Sequence, residues 1–188
     1  MGAEPLIPRK ALITDTPLSA PPLSHVLGSA TSSLRPARPE NAPQLAALSR
    51  PFVRSGALRE RPVSLYAAHA SDFLVVEASD GSLEGCVGLR VHHSGPEGDR
   101  GPAGVVYNFC VARHSQGCGV GARLLRAVLA RARAQSLGAL FTATTGGGGL
   151  FLRHGFTPAS VCLAPPAWVE SLDPRRGARI LGRSLSSV

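Results

Sequence analysis

Residues 114–125, HSQGCGVGARLL, constrain the fold of this 188-residue chain more than any other stretch. The preceding run VVYNFCVA is β-branched and apolar, which reads as a buried strand. In the run that follows, Val120, Leu124, Val128 and Ala132 recur at i, i+4 spacing, flanked by Leu125 and Leu129, as on the buried face of a helix. That helix should extend to about Ser136 and stop at Gly138. Between strand and helix lie Gly117, Gly119 and Gly121. A loop so bare of side chains brings backbone N–H groups close to a ligand, and the helix N-terminus faces the same point. Both features favour an anion, commonly a phosphate group.

The spacing narrows the choice of loop. A nucleotide-hydrolase loop would end in G-K-[ST], whereas Gly121 is followed by Ala122 and Arg123. A dinucleotide fingerprint needs G-x-G-x-x-G and an acid about twenty residues on. Neither is present here. What remains is Q-x-x-G-x-G: Gln116, Gly119 and Gly121.

Charge supports an anionic ligand. The net charge is +8, Lys10 is the only lysine, and no Asp or Glu occurs between Asp99 and Glu170. This acid-free stretch holds the glycine loop with Arg113, Arg123, Arg126, Arg131, Arg133 and Arg153, a field of one sign suited to a small polyanion. The basic residues are spread out rather than clustered, so no nucleic-acid partner is expected. No run of eighteen apolar residues spans a membrane, and no secretory pattern opens the chain, so a cytoplasmic protein without a membrane partner is expected. Cys86, Cys110, Cys118 and Cys162 form no C-x-x-C pair and read as reduced, mostly buried thiols. The six histidines show no metal spacing, and His92 and His93 should point to opposite faces of a strand, so no metal site is expected.

Residues 1–32, rich in Pro, Ser and Ala, read as a disordered or loosely packed extension. A short strand in SSLRPAR should lead into a helix over PENAPQLAALSRPFVRSG, capped by Asn41, with Leu45, Leu48 and Phe52 on one face and a break near Arg50 imposed by Pro51. VSLYAAHAS reads as a second short helix. DFLVVEAS and SLEGCVGLRVHH form a hairpin about Asp80-Gly81, and HSGPEGDRGPAG is a loop. After the glycine-loop helix come a strand in ALFTATT, a short helix in GGGLFLRHG, a strand in FTPASVCL and a last strand in ARILGRSL. The class is α/β with a mixed sheet.

The Q-x-x-G-x-G loop resembles the acetyl-CoA motif of the GNAT acetyltransferases, and LFLRHGF resembles that superfamily's later helix-to-strand signature. The order of elements over residues 33–185 also matches. The resemblance implies a GNAT fold over residues 33–188: a mixed, mostly antiparallel central sheet with helices on both faces. More narrowly, RPFVRSGALRERPVSLYAAHASDFLVVE, LEGCVGLRV, ARAQSLGALFTATTGGGGLFLRHGFTPASV and DPRRGARI are similar to the acetyltransferase domain of N-acetylglutamate synthases.

That resemblance implies an N-acetyltransferase that moves the acetyl group of acetyl-CoA to an amino acid, foremost glutamate, as the first step of arginine biosynthesis. It implies that backbone groups of Phe109, Cys110 and Val111 hold the pantetheine arm. Gln116, Gly117, Cys118, Gly119, Val120, Gly121 and Ala122 would hold the pyrophosphate. Arg61, Arg175 and Arg176 would bind the two carboxylates as forked donors. A homodimer is a further expectation. Other readings of the same fold are an acetyltransferase for another amine, such as a peptide N-terminus or an antibiotic, and a non-catalytic acetyl-CoA-binding module.

Two positions depart from the family. Val105 stands where bacterial synthases carry a Glu, and Gly147 stands where they carry Ser or Thr. Tyr107 is then the first candidate for the proton-accepting group, with Cys110, His114, Glu77 and Glu84 behind it. Gly146–Gly149 either lets the chain pass close to the pantetheine or forms a mobile loop.

Overall fold

The computed structural model describes residues 32–93 and 101–185. The expected extension over residues 1–32 lies outside them except for Ser32, as does most of the loop after His93. Strand β1 (Ser33–Pro36) is followed by helices α1 (Ala42–Arg54) and α2 (Val63–Ala68). The hairpin is β2 (Phe73–Glu77) and β3 (Leu83–His92), closed by a turn with Gly81 at φ +82° and Asp80 accepting from the Ser82 N–H. Then come β4 (Ala103–Val111), helix α3 (Val120–Ala134), β5 (Ala139–Thr144), helix α4 (Gly149–Arg153), the two-residue β6 (Thr157–Pro158), helix α5 (Pro166–Glu170) and β7 (Arg179–Ser184).

The strands form one sheet in the order β1-β2-β3-β4-β5-β7-β6, antiparallel throughout except for the parallel pair β4–β5. Side chains alternate across it and divide the core in two. Leu74, Val76, Val87, Leu89 and Val106 meet Leu124, Leu125, Val128 and Ala132 of α3, with Phe151 of α4, on one face. Phe73, Val75, Cys86 and Cys110 meet Leu45 of α1 and Tyr66 of α2 on the other. The helices therefore cover both faces, and the i, i+4 positions of α3 are all buried.

Several expectations need correction. Helix α1 runs through Pro51 to Arg54 instead of breaking near Arg50. Proline there deprives only the Ala47 carbonyl of a helical partner, and Ala47 is exposed, so the loss falls on the solvent side of the helix. Asn41 precedes α1 without capping its backbone; its Oδ1 instead accepts from the Arg38 N–H and from Arg35, and its Nδ2 donates to the Gln44 side chain. Ser136, not Gly138, ends α3: it takes φ +54°, and the Leu137 N–H closes onto the Ala132 carbonyl. The strand expected over FTPASVCL shrinks to Thr157–Pro158 before a 3-10 turn at Val161–Leu163, and α5 was not anticipated. Only Cys86 and Cys110 are buried; Cys118 and Cys162 are exposed.

Candidate active site

Strands β4 and β5 pair only at Ala103↔Ala139, Gly104↔Leu140 and Val105↔Phe141. Beyond Val105 they part: β4 stays with β3 as far as Val111, and β5 stays with β7 as far as Thr144. The wedge between them opens a cleft of about 480 Å³. Tyr107, Asn108 and Phe109 form one wall, and Thr142, Thr144 and Gly146 form the other. Phe151 lies behind Phe109, edge to face with ring centres 5.4 Å apart. Trp168 of α5 also reaches in.

A bulge in β4 shapes the first wall. Cys86 pairs with Cys110 but Gly88 pairs with Tyr107, so β4 carries one residue more than β3 across this interval. Asn108 takes the strain, at φ +48°. Its side chain, 3% exposed, is fully engaged. Nδ2 donates to Ser49 Oγ at 2.9 Å, and Oδ1 accepts from Tyr66 Oη at 3.3 Å and from Arg61 Nη1 at 3.2 Å. Asn108 thus ties α1, α2 and the Arg61 guanidinium to the bulge. Beneath it, Cys86 and Cys110 sit side by side, and their mutual hydrogen bond, followed by burial, pushes the Cys86 thiol up.

Gly88 has no side chain to obstruct the Tyr107 ring, which lies 2.7 Å from where a Cβ would be. The guanidinium groups of Arg61 and Arg90 each sit 5.2 Å from the centre of that ring. The Tyr107 hydroxyl donates to Asp72 Oδ2 at 2.8 Å, and Arg90 Nη2 reaches the same oxygen at 3.2 Å. Burial, then the hydrogen bond to Asp72, holds the phenol well above its usual range. The hydroxyl is thus turned to Asp72, and the ring lies against the Arg61 and Arg90 guanidinium groups.

Four arginines line the cleft, Arg59, Arg61, Arg90 and Arg176, and among the described residues no Asp or Glu lines it. Arg176 is held by a bond from Nη2 to the Gly56 carbonyl at 2.6 Å. Arg175 is exposed and does not line the cleft. The cleft arginines come from outside the acid-free stretch, which alters that expectation. Within that stretch Arg123 binds Ser32 and Arg131 binds the carbonyls of Ser71 and Asp72, so both serve packing. The other proposed bases lie elsewhere. Glu77 is paired with Arg35 at 2.6 Å, which lowers its pKa, Cys110 is buried against Ser49, and neither Glu84 nor His114 lines the cleft. His92 does line it, with its imidazole partly buried.

The glycine loop follows β4 directly. Gln116 Nε2 donates to the Val111 carbonyl at 3.1 Å, while Gly117 and Gly119 adopt φ of +80° and +83°, which favour glycine. No side chain caps α3, whose first internal bond runs from the Arg123 N–H to Gly119, so the N–H groups before it point outward. At Gly121 an added Cβ would lie 3.1 Å from Leu150 Cδ2 and 3.7 Å from the Phe109 ring. Val120 is buried and the Cys118 thiol is exposed, so Val120 offers the loop only its backbone. Gly148 also needs to be glycine, with φ +64° and Leu181 Cδ1 2.8 Å from the Cβ position.

A sheet whose central parallel pair divides beside a glycine loop and an uncapped helix matches a known family. Residues 69–158 match the acetyltransferase (GNAT) domain. The chain carries a GNAT acetyltransferase domain. An amino-acid acetyltransferase of Neisseria meningitidis is 34% identical over 128 residues, 68% of this chain and 28% of its own length. One from Ralstonia nicotianae is 36% identical over 152 residues, 81% of this chain and 32% of its own. The N-acetylglutamate synthase of Neisseria gonorrhoeae, solved with coenzyme A and N-acetyl-glutamate, superposes with a TM-score of 0.73 at 31% identity, covering 85% of this chain and 36% of that protein. The chain therefore spans about a third of the length of the relatives it matches.

Missing from the reading of the sequence were Arg59, Arg90, His92, Asn108 and Trp168. A signal existed for one of them: an Asn inside an otherwise apolar strand marks a bulge or a left-handed turn.

Proposed function

We propose that this GNAT domain transfers the acetyl group of acetyl-CoA to the α-amino group of an amino acid, and that the amino acid is glutamate. The observation that carries the reading is a cleft at the parting of β4 and β5 lined, among the described residues, by four arginines and no carboxylate. Such a lining favours an acceptor with two negative groups and disfavours a cationic amine such as an aminoglycoside. The relatives named amino-acid acetyltransferase and the synthase holding N-acetyl-glutamate support the same choice.

In this reading the loop over residues 116–122 takes the pyrophosphate: the Gln116 and Cys118 N–H groups bond to the Arg113 and Ser115 carbonyls, and those of Val120, Gly121 and Ala122, before the first helical bond, are the donors. The backbone of Phe109, Cys110 and Val111, freed by the divergence of β5, takes the pantetheine arm. Arg61 and Arg176 take the two carboxylates, and Arg175 stays on the surface. Holding amine and thioester together supplies much of the rate, and a β4 N–H stabilises the oxyanion. The product would be N-acetylglutamate, a first step towards arginine.

Arg61→Ala and Arg176→Ala test the assignment. Each removes a charged hydrogen bond worth about 1.5–3 kcal/mol, so the glutamate KM should rise about 10- to 100-fold. The acetyl-CoA KM should change by less than about twofold. A glutamate KM unmoved in both variants would contradict the reading.

A further inference from the structure

An amine that arrives as an ammonium ion must lose a proton before its nitrogen can attack a thioester. The position where the resemblance places a carboxylate is Val105, 2% exposed, between Arg90 on β3 and Phe141 on β5. The cleft lining offers few replacements. Its arginines stay protonated, Tyr107 is committed to Asp72, and threonine and serine hydroxyls are far too weak as bases. His92 is the one described lining residue able to take a proton near neutral pH.

Register puts His92 in place for that task. Arg90 pairs with Val105 and His92 with Ala103, and alternation sets Arg90 and His92 on the same face of β3. His92 is therefore the diagonal neighbour of Val105, roughly 7 Å away across the two strands, and both line the cleft. Among the described residues the charged and titratable groups around it are Arg90 on its own strand, Asp72 bound to Arg90, and Tyr107, Arg59, Arg61 and Arg176 around the cleft. Burial, and after it the charge of Arg90, lowers the His92 pKa from its ordinary value of 6.5, so the imidazole is neutral at pH 7.

We propose that His92 is the general base of this site, accepting the proton of the acceptor ammonium directly or through one water seated over Val105. The proposal rests on the acetyl-transfer reading above. The ammonium gives one proton to the imidazole. The freed lone pair forms the C–N bond at the thioester carbonyl, and the C–S bond breaks. Of the two protons on the attacking nitrogen, one stays on the amide and the other passes to the departing sulfur, giving the free thiol, and the imidazolium releases its proton to solvent.

The test is CoA release with glutamate between pH 5.5 and 9 for the wild type, His92→Gln and His92→Ala, beside direct acetyl-CoA binding. Loss of the base should lower kcat/KM about 100-fold or more. The acidic limb of the wild-type profile should vanish, acetyl-CoA binding should be kept, and added imidazole should restore His92→Ala in proportion to its concentration. A His92→Gln variant with the wild-type rate and pH profile would overturn the proposal while leaving the transfer reading intact. A wild-type protein that binds acetyl-CoA but acetylates no amine would overturn both.

Discussion

Replacing Asn108 by alanine should cost far more than an ordinary polar substitution near the cleft. Asn108 Oδ1 is the acceptor for the hydroxyl of Tyr66, a residue 2% exposed. Ser49 keeps its bond to the Leu45 carbonyl, so it is not stranded. The orphaned Tyr66 hydroxyl costs about 1–3 kcal/mol. An alanine forced to the φ of +48° adds about 1 kcal/mol of strain, which asparagine tolerates better. The sum is about 3 kcal/mol, a drop in Tm of roughly 6–12 °C for a domain of this size. Asn108→Gly removes the strain but not the orphaned hydroxyl, and should recover up to about 1 kcal/mol relative to alanine. Denaturant titration and thermal melts of the two variants read these differences. Because Asn108 also holds Arg61, both variants should raise the glutamate KM. An Asn108→Ala protein within about 1 kcal/mol of the wild type, or a glycine variant no better than alanine, would refute the reasoning.

Two further changes address the site itself. Gly121→Val places branched carbons against Leu150 and Phe109 at the start of α3, so acetyl-CoA affinity should fall at least about tenfold by calorimetry, with little change in melting; intact binding would contradict the role given to the glycine loop. Tyr107→Phe keeps the ring between Arg61 and Arg90 and loses only the bond to Asp72, so kcat should fall less than about tenfold with an unchanged pH profile; a loss of 100-fold or more would restore Tyr107 as the proton acceptor.

Local pattern carried most of the fold. The i, i+4 apolar positions of α3, the Asp80-Gly81 hairpin and the apolar β4 run each meet the element they specify, because their periodicity and turn chemistry are set within a dozen residues. Errors arose where tertiary surroundings overrode a local signal. Pro51 is tolerated because the carbonyl it orphans belongs to the exposed Ala47, and Ser136 does the work expected of Gly138 because the chain turns two residues earlier.

The glycine loop was legible because three glycines and a helix start are contiguous. The arginine side of the cleft was not. Arg59 and Arg61 come from the loop after α1, Arg90 from β3 and Arg176 from a turn near the end, and only the sheet order brings them together. His92 looked unremarkable beside His93 until register set it one diagonal from Val105. An absence in sequence, the missing carboxylate at Val105, gained meaning only once its neighbours were known.

The most direct measurement is CoA release from acetyl-CoA by the purified protein across a panel of free amino acids, with the products identified by mass. The account predicts release with glutamate and an N-acetylglutamate peak, with weaker turnover of amino acids that lack a second carboxylate. Turnover confined to a basic or apolar amine, or no release from an acetyl-CoA-bound protein, would contradict it.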